Sequence, residues 1–595
     1  MTRRAPLPAA LLALSLAACA SRPAPQPAVP VAPAADASAT PAAPARVVLS
    51  IVGTNDLHGR LGMLPWLAGH VANLRRARER DGAVLLLDGG DMFQGTIESN
   101  LNEGAAVIRA YNALGYAAAA VGNHEFDYGP EGAVTFARSP NDDPQGALRA
   151  RAREASFPLL TANIVETASG APPGWDNVRP SVMLTVGGVK VGVVGLSTEA
   201  TARTTLSLNF RNLTVRPLAE AAAARAAALR AEGAVAVVVV AHAGGACRHF
   251  DDPADLSTCE AEEEIFQVAR ALPAGAVDVI VAGHTHRGVA HVVNGVAVIE
   301  SFANGRAFGR VDLTVDPSAH RVVDRRVHQP HDVCGTGPES RDEPDPATCT
   351  PPPYEGAPVV ADAAMREAIA PAMEAAREVR ERRVGFRAET AVRTRYRDES
   401  ALTNLVADMM RAATPGADVA LMNAGGVRVD LPAGDLDYGT LYSVLPFDNR
   451  LVTVRMRASS LREYLAHNAE GDSGTVAVSG LRVVGACEGT HVAVRLLRPN
   501  GRAVGDAETL TVATNDYMAL GALERRVLAP LTDEAIAASP VLRDAVGEQL
   551  ARVRTARGED ARWFDAAHPR MALPTARPVR CGAAAGAAGA AGGAH

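Results

Sequence analysis

The sequence predicts an α/β protein of more than one domain, and three observations carry that prediction. The chain has 595 residues, too many for a single hydrophobic core. From Arg46 to about Asp316, apolar β-branched runs alternate with Ala/Arg/Leu stretches of helical spacing, the pattern of buried strands layered with helices. Polar and glycine residues follow the apolar runs, and α/β folds bind ligands at the carboxyl ends of their strands.

Taken in order, residues 1–19 are not part of this fold. Arg3 and Arg4 precede a short apolar stretch that ends in small residues, which reads as an export signal too short to span a membrane. Its end, Leu16-Ala17-Ala18-Cys19, resembles a bacterial lipobox, which implies cleavage before Cys19 and lipid on its sulfur. Residues 20–45 are Pro/Ala-rich and read as an extended tether. Strands are expected at 46–53, 83–90, 189–196, 234–242 and 277–284, with helices at 66–80, 104–114 and 217–232. Residues 46–330 form the first domain. Residues 331–383 hold a Cys- and Pro-rich excursion followed by an interdomain helix, with a kink expected at Pro371. A second domain covers 384–575, with strands at 418–422, 451–456 and 509–514 and helices at 400–413 and 459–468. Residues 576–595 are a low-complexity tail.

Composition narrows the function. With 48% hydrophobic and 21% charged residues the chain is globular, and a net charge of −7 offers no broad basic surface for nucleic acid. An anionic substrate then needs local counter-charge from a metal or a few arginines. Of the seven cysteines, Cys19 is assigned to lipid. The other six suit an oxidising compartment. Fifteen pairings are open, and the simplest is sequential: Cys247–Cys259, Cys334–Cys349, Cys487–Cys581. None sits in a CxxC pattern.

The residues that follow the first-domain strands carry the chemistry. "GTNDLHGR" offers Asp56 and His58, "LDGGDMFQG" Asp88 and Asp91, and "GNHEFD" Asn123, His124 and Asp127. "VVAHAGG" offers His242, and "AGHTHRG" offers His284 and His286. Any one alone reads as a hydrogen-bonded loop residue. Together they supply the neutral imidazole and carboxylate donors that hold pairs of first-row metal ions.

These blocks, in this order, resemble the calcineurin-like metallophosphoesterases. The combination "GTNDLHG…GDMFQGT…VGNHEFDYG" resembles the exported 5'-nucleotidase family over most of residues 46–575. The resemblance implies a four-layer α/β/β/α first domain joined by a helix to a smaller α+β substrate-binding domain. It implies two divalent metal ions, Zn, Mn or similar. Asp56, His58, Asp91 and His286 would hold one; Asp91, Asn123, His242 and His284 would hold the other, with Asp91 as the bridge. Many family members carry Gln at the position of His286. His124 would face the transferring phosphate and Asp127 would hold its imidazole. Asp88 reads as a turn residue.

In the second domain, Asn423, Gly425, Gly426 and Arg428 of "LMNAGGVR" match the family's substrate block. Arg395 or Arg397 would supply a second phosphate-binding guanidinium. Phe447 and Tyr517 match positions where the family stacks a nucleobase. Where the family has an Asp that holds ribose hydroxyls, this chain has Leu523.

The resulting expectation is an exported, lipid-anchored hydrolase of phosphate monoesters, acting on nucleoside 5'-monophosphates from a periplasmic or cell-surface position, with the outer membrane as its anchor. It is expected as a monomer or dimer without nucleic-acid partners. A UDP-sugar, cyclic-nucleotide or thiosulfo-ester hydrolase on the same scaffold is the enzymatic alternative. A non-catalytic surface lipoprotein is the alternative from another class; decay would show as missing ligands, and all seven are in place.

Overall fold

Alternate residues of the apolar runs face different partners, and this builds a sandwich. In the strand Gly82–Asp88, Leu85 and Leu87 point into the space between two sheets, while Leu86 points outward to helices. In Ala236–His242, Val238 and Val240 face the first sheet, while Val237 and Val239 face helices on the far side. Both sheets are covered by helices on their outer faces, giving the α/β/β/α layering. The computed structural model describes residues 46–582 apart from 133–135, 138, 140, 338, 340–344 and 559. Cys19, the signal, the tether and the end of the tail lie outside the described residues.

The first sheet has seven strands in the order Arg321–Asp332, Ala307–Asp316, Val47–Thr54, Gly82–Asp88, Ala118–Ala120, Leu159–Leu160, Val178–Arg179. The second has six: Gly288–Val293, Val296–Ser301, Val279–Ala282, Ala236–His242, Val189–Ser197, Ser181–Val186. Neighbours at the centre of each sheet run parallel, as between Val47–Thr54 and Gly82–Asp88 or Ala236–His242 and Val279–Ala282. Both edges of the second sheet and the Arg321–Asp332 edge of the first are antiparallel, so both sheets are mixed. The apolar-run criterion does not pick out edge strands such as Arg321–Asp332, because a half-exposed edge alternates polar and apolar residues.

The helix Ala363–Arg380 joins the domains. Asp362 caps it by accepting the Met365 N–H at 2.7 Å. Met365, Ile369 and Ala372 sit in the core of the first domain, and Ala376 in that of the second. The helix continues through Pro371, which lies on its exposed side, where water can satisfy the carbonyl that proline leaves without a donor.

The second domain is built on a four-stranded sheet, Leu451–Arg457, Thr509–Asn515, Val419–Asn423, Val476–Ser479. Ala420 and Met422 pack on one side of it, and Val419 and Leu421 on the other. The helices Ala401–Ala413 and Ala458–Glu470 cover opposite faces. Three disulfides, Cys247–Cys259, Cys334–Cys349 and Cys487–Cys581, give the sequential pairing. No helix among the described residues is long and apolar enough to cross a membrane.

Candidate metal centre and active site

The seven candidate ligands lie where strands of both sheets end, and the turns they occupy are unusual. Asp56, His58, Asp91, His284 and His286 all have positive φ, at 50°, 48°, 57°, 87° and 59°. Residues with a Cβ avoid this left-handed region at a cost of about 1–2 kcal/mol each. Such strain persists only where the surroundings over-determine the conformation, and it concentrates at functional sites.

Two cradles result. In the first, His58 Nε2 and His286 Nε2 stand 3.0 Å apart. Asp56 Oδ1 lies 3.2 Å from His286 Nε2 and 3.7 Å from His58 Nε2. In the second, His242 Nε2 has Asn123 Oδ1 and Asp91 Oδ2 each at 3.0 Å and His284 Nδ1 at 3.2 Å. Ligand bonds of ~2.1 Å around a tetrahedral ion place neighbouring donors roughly 3.4 Å apart, close to these separations. Asp56 Oδ1 is buried without a hydrogen-bond partner, which is costly unless a cation takes that role. The donor set fits divalent metal ions.

The atoms behind the ligands fix their orientation. His58 Nδ1–H donates to the Gln94 carbonyl at 2.8 Å and His242 Nδ1–H to the Gly89 carbonyl at 3.0 Å, leaving each Nε2 facing the centre. Asn123 Nδ2 donates to the Thr204 carbonyl at 3.2 Å, which turns its Oδ1 inward. Asn55 donates to Asp56 Oδ2 and to the Phe302 carbonyl, both at 2.7 Å. A side chain at Gly122 is excluded, because its Cβ would fall 2.2 Å from Asp91 Oδ1.

Two buried carboxylates organise the ligand loops. Glu125 accepts the backbone N–H groups of Asp91, Met92 and Gly122 at 3.0, 2.8 and 2.7 Å. Glu300 accepts the N–H groups of Gly245 and Thr285 and the Thr285 hydroxyl. Glu125 lies inside the quoted "GNHEFD" block, but Glu300 sits in an apolar strand with no local signal. Asp88 accepts the Gly90 N–H and the hydroxyls of Thr54 and Tyr111, which makes it structural.

Burial opposes charge throughout, and neighbours decide the outcome. Burial, then His286 and Arg428, hold His58 well below its ordinary value. Burial and His242 bring His284 down to about 3. For His242, burial is outweighed by Asp91 and the group is raised to about 10. His124 is raised in the same way, burial being outweighed by Asp127 and Asp91. Its Nδ1 lies 2.5 Å from Asp127 Oδ2, and its Nε2 is 3.8 Å from Asp91 Oδ2.

The second domain reaches this centre at several points. Arg428 Nη2 lies 3.4 Å from both His58 Nε2 and His286 Nε2. The Phe447 ring stacks on His124 at 5.4 Å and lies under the Arg428 guanidinium at 5.9 Å. Gln94 donates to the Pro446 carbonyl, and the Tyr517 hydroxyl donates to the Arg203 carbonyl. The Asn423 amide oxygen accepts from Asn515 at 2.8 Å, while Gly425 and Gly426 form the turn that leads to Arg428. Two expected residues are not brought in. Arg397 stands 3.9 Å from Glu263 and 4.0 Å from Glu260, and Arg395 is exposed. Leu523 is fully buried in the second domain's core.

Clustered imidazoles and carboxylates facing an arginine define a metal-dependent centre for an anionic ester. Comparison with known proteins makes this specific. The family model for calcineurin-like phosphoesterase matches residues 49–288, and that for the 5'-nucleotidase C-terminal domain matches residues 376–529. The chain belongs to the 5'-nucleotidase family and is a metal-dependent phosphoester hydrolase. It is 28% identical over 519 residues to Protein UshA of Yersinia enterocolitica, covering 80% of this chain and 85% of that one. Its fold is similar to a 5'-nucleotidase precursor from Thermus thermophilus, with TM-score 0.66 and 22% identity over 88% of this chain and 99% of that one. It is equally similar to a sulfate thiohydrolase, SoxB, from the same organism, with TM-score 0.66 and 18% identity over 90% and 98% of the two chains.

Proposed function

We propose that the protein hydrolyses nucleoside 5'-monophosphates to nucleoside and phosphate in the cleft between its domains. The observation that carries this reading is the convergence of both cradles, Arg428 and the His124–Asp127 pair on one point, with the Phe447 ring beside them. Two divalent ions, Zn, Mn or similar, would occupy the cradles, with Asp91 shared between them. When bound, they polarise phosphoryl oxygens and supply a nucleophile from water near neutral pH.

The chain's own residues do the rest. Arg428 neutralises charge on the phosphate oxygens with a planar fork of donors. His124, held by Asp127, gives its proton to the departing ester oxygen. Phe447 offers a ring face on which a base can stack, and such faces tolerate several bases. Tyr517 would supply a second ring, and Asn423 a polar edge. Arg395 and Arg397 would reach the phosphate only after Arg397 leaves Glu260 and Glu263.

Leu523 favours keeping a second reading. A buried leucine accepts no hydrogen bond from a ribose diol, so strict recognition of a nucleoside monophosphate is not built in at that position, and hydrolysis of UDP-sugars, cyclic nucleotides or thiosulfo-esters at the same centre stays open. Phosphate release from AMP and deoxy-AMP with Mn²⁺ or Zn²⁺ tests the first reading. Release from both, lost in His124→Ala, supports it. No release from either by the wild type overturns it and directs the search to diesters and thiosulfo-esters.

Export is part of the same proposal. Three disulfides support an oxidising compartment, and the lipid-anchor reading of Cys19 gives the location at a membrane surface.

A further inference from the structure

The segment Arg203–Thr205 touches three partners that have no other reason to meet. The Arg203 carbonyl accepts the Tyr517 hydroxyl from the second domain. The Thr204 carbonyl accepts the Asn123 amide at 3.2 Å. The Thr205 hydroxyl donates to Asp127 Oδ1 at 2.9 Å. We infer that Thr205 is a positioning residue for the His124–Asp127 pair, and that this segment links the pair to the second domain. The inference rests on the phosphohydrolase reading of the site.

Asp127 has two carboxylate oxygens and two partners. Oδ2 faces His124 Nδ1 at 2.5 Å, and Oδ1 takes the Thr205 proton. One contact alone leaves the carboxylate free to rotate about its Cβ–Cγ bond, and the imidazole rotates with it. Two contacts on different oxygens fix its plane.

The segment itself is anchored. Thr205 is 2% exposed and Thr201 fully buried. The Thr205 N–H donates to the Thr201 carbonyl at 3.2 Å, and the Thr201 and Thr204 hydroxyls donate to the Thr198 and Ala200 carbonyls at 2.7 and 3.0 Å. Just beyond it, Asn209 donates to the Phe126 carbonyl at 2.9 Å, bracing the turn that carries His124 and Asp127 from behind. A shift of the segment is therefore felt at Asn123, at Asp127 and at the second domain together. Tyr517 then has two separable parts: a ring packed against the second domain's core, and a hydroxyl that ties that domain to the segment.

The test measures kcat and KM for phosphate release by wild type, Thr205→Val, Thr205→Ser, Asp127→Asn and the Thr205→Val/Asp127→Asn double variant. Valine keeps the volume and removes the donor; serine keeps the donor. Thr205→Val is expected to lower kcat about tenfold, the loss of roughly one charge-assisted hydrogen bond, with KM and bound metal unchanged. Thr205→Ser is expected to restore it. The double variant is expected to be no slower than Asp127→Asn, because Thr205 acts through Asp127. Tyr517→Phe is expected to lower kcat and leave KM unchanged, with a smaller effect when Thr205 is already Val.

Unchanged kcat in Thr205→Val overturns the inference, as does full additivity with Asp127→Asn or an equal loss in Thr205→Ser. If wild type fails on AMP, the nucleotidase reading falls, and the same series on bis-p-nitrophenyl phosphate still decides the role of Thr205.

Discussion

Removing metal should weaken the first domain by an amount the backbone lets one work out. Five ligand residues hold positive φ, and at about 1 kcal/mol each they store roughly 5 kcal/mol of conformational strain. The cradles also press imidazoles together, His58 against His286 at 3.0 Å and His242 against His284 at 3.2 Å. An ion present at a hundredfold over its dissociation constant stabilises by about 2.7 kcal/mol, so two ions contribute about 5.4 kcal/mol, comparable with that strain. A unit of roughly 300 residues unfolds with about 0.6 kcal/mol per degree of entropy near its midpoint. Chelation is therefore expected to lower the first thermal transition by about 8 °C, and Mn²⁺ or Zn²⁺ should restore it. His242→Ala spoils one cradle and should about halve the shift. Scanning calorimetry with and without chelator, with bound metal assayed in parallel, checks this. Coincident midpoints for the loaded and stripped protein would refute the reasoning that the ligand turns are held by metal.

Three further outcomes are expected. His286→Gln, at a side chain that is 32% exposed, exchanges an imidazole for an amide oxygen; Zn²⁺ affinity should fall about 10–100-fold while turnover with Mn²⁺ persists, as metal competition and activity assays will show. Removing Cys487–Cys581, which spans 94 residues, should cost about 4–5 kcal/mol in urea unfolding, against about 3 kcal/mol for Cys247–Cys259, which spans 12. Burial, then His70, pushes His331 down to about 4, so the folded protein holds it neutral. Its unfolded form takes a proton near pH 6.5, and folding therefore loses stability as pH falls from about 6.5 to 4; the thermal midpoint of His331→Phe should fall less steeply over that window than that of the wild type.

The candidate ligands were legible because each sits in a short block just past an apolar run, where strand and turn chemistry coincide. The long parallel strands at the centre of each sheet were legible for the same reason, since burial on both faces leaves continuous apolar runs; the two- and three-residue strands Ala118–Ala120, Leu159–Leu160 and Val178–Arg179 are too short to leave such a run. Legibility fades with sequence distance. Arg428 and Phe447 were readable from "NAGGVR" and "LPFDN", and both lie at the centre. Nothing in "RTRYRDES" distinguishes a guanidinium that meets substrate from one that meets Glu260 and Glu263, because that choice depends on a loop some 130 residues earlier. Glu300 is less readable still. It is one acidic residue in an apolar strand, and its two partners, Gly245 and Thr285, lie on the loops that carry His242, His284 and His286.

This division has a physical basis that bears on where the centre can change. Five of the seven ligands occupy strained turns, so each of those needs an identity that suits both the ion and a left-handed backbone, and Asp and His satisfy both. The groups behind them need only offer a donor or acceptor at the right point, and many sequence positions can do so. The ligand blocks are thus the part where variation is limited to residues that still offer a metal donor, as Gln would at position 286. The contacts made by Glu300, Asn55 and Thr205 are the part that sets how rigidly the same metals and the same His124 meet a substrate. A difference in ester preference between proteins that share every ligand block would then be sought in those contacts. Exchanging Leu523 for Asp alone should not create a ribose site: its side chain points into the core, and a carboxylate there would be buried without partners.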